Sequence, residues 1–215
     1  MFILSDHQLS FPDVSLADED GLLAIGGSLN TERLLLAYRS GIFPWFNEDE
    51  LPMWWCPDPR FVLFPEELKI SHSMKQTLKK NQFDFKINHA FAQVINCCKN
   101  TPRKEQDGTW ITDNVVAAYK EMHQLGFAIS AESYCDDKLV GGLYGIRMGA
   151  VFFGESMFSH QSNASKFAFI RLVQQLKAEG VKMIDCQVYT EHLESLGARM
   201  IPRISFIKLL RELIQ

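Results

Sequence analysis

Three polar residues of the sequence could act together in chemistry: Glu155, Asp185 and Gln187. Glu155 lies within an apolar run, VFFGESMF, where a buried charge is costly unless a partner meets it. Asp185 and Gln187 are two residues apart in MIDCQV, so in a strand their side chains share one face. If the two strands are neighbours, the three side chains form a candidate site. The alternative is structural: Asp185 caps a loop, and Glu155 pairs with a nearby cation such as Lys166.

Other catalytic arrangements are not indicated by the residue spacing. The six histidines have no metal-ligand spacing with one another or with a cysteine, so no metal site is predicted. GESMF differs from the G-x-S-x-G nucleophile elbow, and we expect no covalent nucleophile. The five cysteines include no CxxC pair, which favours reduced thiols in the cytoplasm. The first residues, MFILSDHQLS, do not resemble a signal peptide, and no apolar run reaches membrane-spanning length, so we expect no membrane partner.

The elements that would hold these residues fall into two parts. The first contains a short strand, LLAI, a Gly-Gly turn, and a helix, TERLLLAYRS, capped by Asn30 or Ser28. It ends at WWCPDPR, where the prolines exclude a helix. We therefore predict a small N-terminal α/β domain over residues 1–60 and a second domain over 61–215.

The second part begins with helices and continues with strands. Helices are predicted over 71–80, after a cap at Asn88, and after a cap at Thr112 or Asp113. Three strands follow, FAISAES, KLVGGLYGIR and AVFFGESMF, and the turn signals between them predict an antiparallel meander. A helix, the strand KMIDCQV, a short helix, a final strand and a C-terminal helix complete the chain.

This order is that of the GNAT-like (acyl-CoA N-acyltransferase-like) fold, so we predict an α+β protein whose larger domain has that fold. In that layout the strands over 149–158 and 182–188 run parallel and splay apart, and ligands bind in the gap. A member that uses CoA holds the pyrophosphate on a glycine-rich turn, whereas SHQSNASK (159–166) contains no glycine. We therefore expect no CoA and no other cofactor, although a CoA-dependent acetyltransferase is the first rival interpretation.

Charge is unevenly distributed along the chain. The net charge of −4, from 22 Lys and Arg against 26 Asp and Glu, argues against a protein covered with basic residues for bulk nucleic-acid binding. Residues 69–86 nevertheless form a basic segment with one acid, Asp84. Its lysines form either a solvated helix face or a nucleic-acid contact; they are Lys69, Lys75, Lys79, Lys80 and Lys86.

A group of large aromatic residues could stack on a nucleic-acid base, line a pocket, or pack in the core. Core packing is the more common role of such residues. They are Tyr38, Trp45, Trp54, Trp55 and Trp110.

Several strings together resemble the leucyl/phenylalanyl-tRNA–protein transferases, over nearly the whole chain and in consistent order. The most specific strings are GIFPWF and WWCPDPR. The others are GLLAIGG, LLAYRSG, GTWIT, FFGESMFS, NASK, IDCQV and SLGA. The fold of that family, a small N-terminal domain joined to a GNAT-like domain, agrees with the division made above.

The resemblance implies an enzyme that moves Leu or Phe, and less readily Met, from aminoacyl-tRNA to the α-amine of proteins beginning with Arg or Lys. The product would enter the bacterial N-degron pathway for degradation. The reaction would be direct aminolysis without ATP, metal or CoA, carried out by a cytoplasmic monomer. The second rival interpretation is a tRNA-binding module without catalysis.

The resemblance also implies roles for individual residues. Asp185 and Gln187 would be a proton-handling pair, and Glu155 would lie near the aminoacyl-adenosine and the acceptor. Our own hypothesis is that Gln187 positions the amine and relays a proton to Asp185, and that Glu155 holds the cationic acceptor end or the adenosine, so that its charge has a partner only when substrate is bound. In an alternative, a ribose hydroxyl of the tRNA carries the proton and these residues only orient. Lysines of the basic segment gain a role in tRNA binding, namely Lys69, Lys75, Lys79 and Lys80. The residues matched to the aminoacyl-adenosine and side-chain pocket are Tyr38, Trp45, Trp110, Tyr119, Leu143 and Met157, with Leu143 where the family often has Met.

Overall fold

The computed structural model of the chain describes residues 1–47, 49–80, 82–101 and 109–214. It contains a four-stranded and a seven-stranded sheet with helices packed on them, so the predicted α+β class is confirmed. Within the described ranges, no helix is both long and apolar enough to cross a membrane. The glycine of the GTWIT string and most of the polar loop before it lie outside the described residues.

The smaller sheet is formed by the first part of the chain. Its elements are β1 (Phe2–Leu4), a 3-10 turn (Val14–Leu16), β2 (Leu22–Gly26), α1 (Thr31–Arg39), β3 (Phe43–Pro44) and β4 (Met53–Trp55). The strands lie in the order β1-β2-β4-β3, with β1 parallel to β2 and the other neighbours antiparallel. Asn30 caps α1, because its side-chain oxygen accepts a hydrogen bond from the backbone N–H of Arg33 at 2.8 Å. Gly41, with φ +77°, follows the helix.

The larger sheet takes its strands from the rest of the chain. Its first elements are β5 (Arg60–Leu63), a 3-10 turn (Pro65–Glu67), α2 (His72–Lys79), β6 (Asp84–Ile87), α3 (Phe91–Lys99) and α4 (Asp113–Gln124). The remaining elements are β7 (Ala128–Cys135), β8 (Lys138–Met148), β9 (Val151–Ser159), α5 (Ala164–Ala178), β10 (Met183–Gln187), α6 (Glu191–Glu194), β11 (Arg199–Ile201) and α7 (Arg203–Leu213). The strand order is β11-β5-β10-β9-β8-β7-β6.

Strands β7, β8 and β9 form the predicted antiparallel meander. The turn between β7 and β8 contains Asp136 and Asp137, both with positive φ, which matches the right-handed twist of the strands it joins. Strand β10 then lies parallel to β9, as expected for a GNAT-like order. One hydrophobic core contains residues from both sheets, including Leu23 and Trp54 of the smaller and Phe153 and Met183 of the larger. The division of the chain at residue 60 therefore stays a prediction.

The parallel pairing of β9 and β10 is short. Met183–Asp185 pairs with Val151–Phe153, and the pairing goes no further, whereas β9 continues to pair with β8 up to Ser159. The strands therefore part after Phe153 and Asp185. The gap predicted between them lies at this point, in the middle of the sheet.

The predicted cap of α3 is wrong. The helix begins at Phe91 after Ala90, and no side chain caps it. Asn88 instead has φ 55° and accepts a hydrogen bond from the backbone N–H of Ser130 at 2.9 Å, so it ties the turn after β6 to β7. The helix itself forms as predicted, and its buried residues, Phe91, Val94, Ile95 and Cys98, lie on one apolar face.

Candidate active site

Glu155 lies where β9 parts from β10, and three side chains surround its carboxylate. The Tyr38 hydroxyl donates to Oε1 at 2.7 Å, and the Tyr119 hydroxyl donates to Oε2 at 3.0 Å. Gln187 Nε2 donates to Oε1 at 3.2 Å. The expectation that Glu155 finds a partner only in the substrate is therefore wrong. Among the described residues it forms no ion pair, with Lys166 or with any other cation.

The surroundings of Glu155 change its acidity. Burial raises the pKa of the Glu155 carboxyl to about 7, while the hydrogen bonds from Tyr38, Tyr119 and Gln187 act in the opposite direction. A carboxyl group with that pKa is about half ionised at neutral pH, which suits a group that takes and returns a proton. Burial, followed by the adjacent Glu155 charge, raises the pKa of both tyrosines well above the usual value. The tyrosine hydroxyls therefore stay protonated and act as donors.

Tyr38 and Tyr119 have a different place from the one that the resemblance implied. Both side chains are 0% exposed, and their hydroxyl oxygens lie next to each other while each hydroxyl donates its proton to Glu155. Neither ring can stack on a bound adenosine, because neither reaches an open surface. Tyr38 comes from α1 and Tyr119 from α4, so both parts of the chain supply a hydrogen-bond donor to the Glu155 carboxylate.

Asp185 does not face the gap. It is 0% exposed, and its two carboxylate oxygens accept hydrogen bonds from Arg60 Nε at 2.8 Å and Nη2 at 2.6 Å. The strand is irregular here, with a register shift between Asp185 and Gln187 and a φ of 63° at Gln187. The irregularity breaks the alternation of side chains, so the prediction that Asp185 and Gln187 share one open face is wrong. Gln187 reaches Glu155, whereas Asp185 faces Arg60.

Arg60 is the residue of this region that the sequence reasoning missed. It is 1% exposed, and its guanidinium lies 4.7 Å from the centre of the Phe43 ring and 4.6 Å from that of Phe206. Burial alone would lower the pKa of Arg60, but the charge and hydrogen bonds of Asp185 raise it above the usual value. Asp185 and Arg60 thus form a buried ion pair, and a proton placed on Asp185 would break it. Arg60 is the last residue of the PDPR string, but no sequence pattern indicated that Asp185 is its partner.

Two cavities meet at Glu155 and Gln187. The larger, of about 460 Å³, lies between β9 and β10 and reaches under α5 and α6. The smaller, of about 110 Å³, lies towards β3 and the start of α4. Glu155, Gln187 and Val188 line both of them, so these residues form the boundary between the two spaces.

The larger cavity has a mainly apolar lining. Leu143 and Met157 are directly opposite each other in the pairing of β8 with β9, and both line it with Phe169 of α5. These two predicted pocket residues therefore lie together. His192 also lines this cavity; burial lowers the pKa of its imidazole, and its Nε2 has no partner in the described part of the chain.

The smaller cavity is lined by aromatic rings. Trp45 is 39% exposed, and Trp110 is 5% exposed; both line it together with Phe43. Trp54 of the aromatic group is instead structural, because it is fully buried and donates its ring N–H to the carbonyl of Gly26 at 2.8 Å. An exposed indole over a cavity offers a flat surface to a base or another planar group.

The basic segment lies on the surface. Lys69, Lys75, Lys79 and Lys80 are exposed, and none of them forms an ion pair in the described ranges. Met74 of the same helix, α2, is buried, so one side of this helix faces the core. The lysines are therefore available for a phosphate contact, and their role stays a prediction.

Comparison with known proteins places the chain in a family. The model of the family "Leucyl/phenylalanyl-tRNA protein transferase" matches residues 62–211, and the model of the N-terminal domain of that family matches 27–58. A leucyl/phenylalanyl-tRNA–protein transferase from Christiangramia forsetii is 56% identical over 205 residues, covering 94% of this chain and 97% of the relative. One from Flavobacterium johnsoniae is 57% identical over 203 residues, covering 94% and 96%. Among solved structures, L-PGS from Bacillus licheniformis matches with a TM-score of 0.42 and 12% identity, over 80% of this chain and 57% of that one.

Proposed function

The chain belongs to the leucyl/phenylalanyl-tRNA protein transferase family, and from this membership we propose that it moves leucine or phenylalanine, and less readily methionine, from aminoacyl-tRNA to proteins that begin with arginine or lysine. The protein is thus a transferase that acts on aminoacyl-tRNA and proteins. We further propose that it works in the cytoplasm as a monomer and that its products enter the N-degron pathway.

The donor is proposed to occupy both cavities. The larger cavity takes the amino-acid side chain, because its lining is apolar and its size exceeds that of a leucyl or phenylalanyl group. One methylene changes binding in such a pocket by only about 1–3 kcal/mol, so discrimination against methionine is expected to be incomplete. The base of the terminal adenosine stacks on the exposed ring of Trp45 at the smaller cavity, which Trp110 also lines. The ester that joins the two groups then lies at Glu155 and Gln187.

The reaction is aminolysis of the ester. The acceptor nitrogen attacks the ester carbonyl carbon, a C–N bond forms, and the C–O bond to the ribose breaks. The acceptor α-amine has a pKa of about 7.7–8.0, so roughly a quarter of it is already neutral near pH 7.4. The attacking nitrogen gives up one proton, and the departing ribose oxygen takes one. We assign this transfer to Glu155, and the amide of Gln187 orients the amine and the carboxylate.

This assignment replaces Asp185 as the proton acceptor. The carboxylate of Asp185 is fully buried, and Arg60 engages both of its oxygens. The observation that carries the proposal is instead the position of Glu155, a carboxyl of pKa about 7 on the boundary of the two cavities. The route in which a ribose hydroxyl carries the proton predicts the same products and differs in its dependence on Glu155.

The basic segment is proposed to hold the tRNA body. The protein has a net charge of −4, so local cations must supply the attraction to phosphate. Four exposed lysines lie along this segment: Lys69 before α2, Lys75 and Lys79 within it, and Lys80 at its C-terminal cap.

One experiment tests the proposal directly. Charged Leu-tRNA, a peptide that begins with Arg and the purified protein are mixed, and the peptide is expected to gain the mass of one leucine residue. A peptide beginning with Gly is the control, and acetyl-CoA is offered in a parallel reaction. Glu155→Gln keeps the shape and removes the titratable group, so transfer is expected to fall by about 100-fold or more while tRNA affinity is kept. Leucine transfer at the wild-type rate by Glu155→Gln would exclude the carboxyl as the proton carrier and favour the ribose route.

A further inference from the structure

We propose that Arg60 is a positioning residue that holds Gln187 in the orientation needed for transfer. The inference rests on the proposed function, because it concerns the same boundary between the two cavities. Arg60 lines neither cavity, so it acts through its neighbours.

The backbone of Gln187 has an uncommon conformation. Its φ of 63° lies in the left-handed region, which a residue with a side chain adopts only when its surroundings hold it there. The backbone N–H of Gln187 donates to Asp185 Oδ1 at 3.0 Å. This contact, together with the register shift against β5, turns the Gln187 side chain towards Glu155.

Arg60 sets the orientation of the Asp185 carboxylate. Arg60 Nε donates to Oδ1, the same oxygen that receives the Gln187 N–H, and Arg60 Nη2 donates to Oδ2. A two-pronged contact of this kind fixes the plane of the carboxylate as well as its charge. The contacts form one series from Arg60 through Asp185 and Gln187 to Glu155.

Two aromatic rings hold Arg60 itself in place. The guanidinium lies near the rings of both Phe43 and Phe206, which come from β3 and α7. Phe43 also lines the smaller cavity, so the same ring contacts both the proposed adenosine space and Arg60. A lysine could supply the charge here, but it could not make the planar, two-pronged contact.

The variant Arg60→Lys keeps a positive charge beside Asp185 and removes the planar, two-pronged contact that orients its carboxylate. We expect the variant to fold with a positive charge retained, and kcat for leucine transfer to fall by roughly 100-fold, because a small misplacement of Gln187 misaligns the reacting atoms. KM for Leu-tRNA should change by less than about twofold, since neither cavity loses a lining residue. The matched control is Arg33→Lys. Arg33 is also 1% exposed and donates to the backbone carbonyls of Ser5 and Gln8, away from both cavities, so its replacement should lower Tm and leave kcat within about twofold.

A crystal structure of Arg60→Lys gives a readout that does not depend on activity. The Gln187 amide is expected to have moved out of hydrogen-bond distance of Glu155, and a Gln187 that stays in place overturns the inference. Unchanged kcat in a folded Arg60→Lys also overturns it and leaves the proposed function standing. Failure of the wild-type protein to transfer leucine refutes the proposed function, while the crystal comparison still decides the role of Arg60. If Arg60→Lys does not fold, Asp185→Asn is used in the same two measurements, because it keeps an acceptor for the Gln187 N–H and loses the ion pair.

Discussion

Replacing Tyr38 by phenylalanine removes the 2.7 Å hydrogen bond to Glu155 Oε1 and leaves the ring in its buried position. That hydrogen bond lowers the pKa of Glu155, in opposition to burial, which raises it. Loss of the bond therefore moves the pKa of Glu155 upward from its value of about 7. The ionised carboxylate is the form that accepts a proton, so the variant should need a higher pH for the same rate.

The magnitude follows from the strength of the bond. A hydrogen bond to a charged group contributes about 1.5–3 kcal/mol, and one pKa unit corresponds to about 1.4 kcal/mol. Taking the lower figure, because Tyr119 and Gln187 still donate to Glu155, the shift is about one unit. The ionised fraction at pH 7 then falls from about one half to about one tenth, a roughly fivefold lower rate, and the two proteins converge above about pH 9.

The assay is kcat for leucine transfer at saturating donor and peptide, measured between pH 5.5 and 9.5, because kcat reports the ionisation of the bound complex. Tyr134→Phe is the matched control, since the Tyr134 hydroxyl donates to a different buried carboxylate, Glu132. Its acid limb should superimpose on that of the wild-type protein. An acid limb of Tyr38→Phe that stays in place, with the rate lowered equally at every pH, would show that Glu155 is not the titrating group.

Two further predictions concern the RNA. Trp45→Ala removes an exposed ring from the smaller cavity and should weaken binding of Leu-tRNA by about 1–3 kcal/mol, seen as an increase in KM with kcat little changed; an unchanged KM would place the adenosine elsewhere. Reversing Lys75, Lys79 and Lys80 to Glu should weaken tRNA binding and reduce its salt dependence, measured by filter binding between 50 and 200 mM salt, and an unaltered salt slope would leave the segment as a solvated face.

The elements were predictable from the sequence because their signals are local. The Asn30 side chain caps α1 by accepting a hydrogen bond from a backbone N–H only three residues away. Gly41 follows the helix because a glycine readily adopts the positive φ found there. Asn88 shows the limit of such signals. The residue is a common helix cap, but the bond that it makes is to Ser130, which is distant in sequence and adjacent only in the sheet.

The candidate site was predictable in its residues and less so in its contacts. Side chains alternate between the two faces of a regular strand, which predicted that Asp185 and Gln187 share one face. The register shift in β10 interrupts this alternation between the two residues. Arg60 and Asp185 are 125 positions apart, and Tyr38 and Glu155 are 117 apart, so neither partner could be read from spacing. The resemblance indicated that Tyr38 and Tyr119 belong to the site. In the structure both are fully buried and donate hydrogen bonds to Glu155.

The opening between β9 and β10 is a break in the sheet itself, bounded by main chain on both sides. Exchange of the side chains in its apolar lining, such as Leu143 and Met157, alters the shape of the pocket but leaves the opening in place. If the larger cavity holds the donor side chain, as proposed, exchanges in this lining change which amino acid fits without altering the acid–amide pair at the boundary. An engineer who wishes to load a different amino acid should alter the lining and leave the boundary untouched.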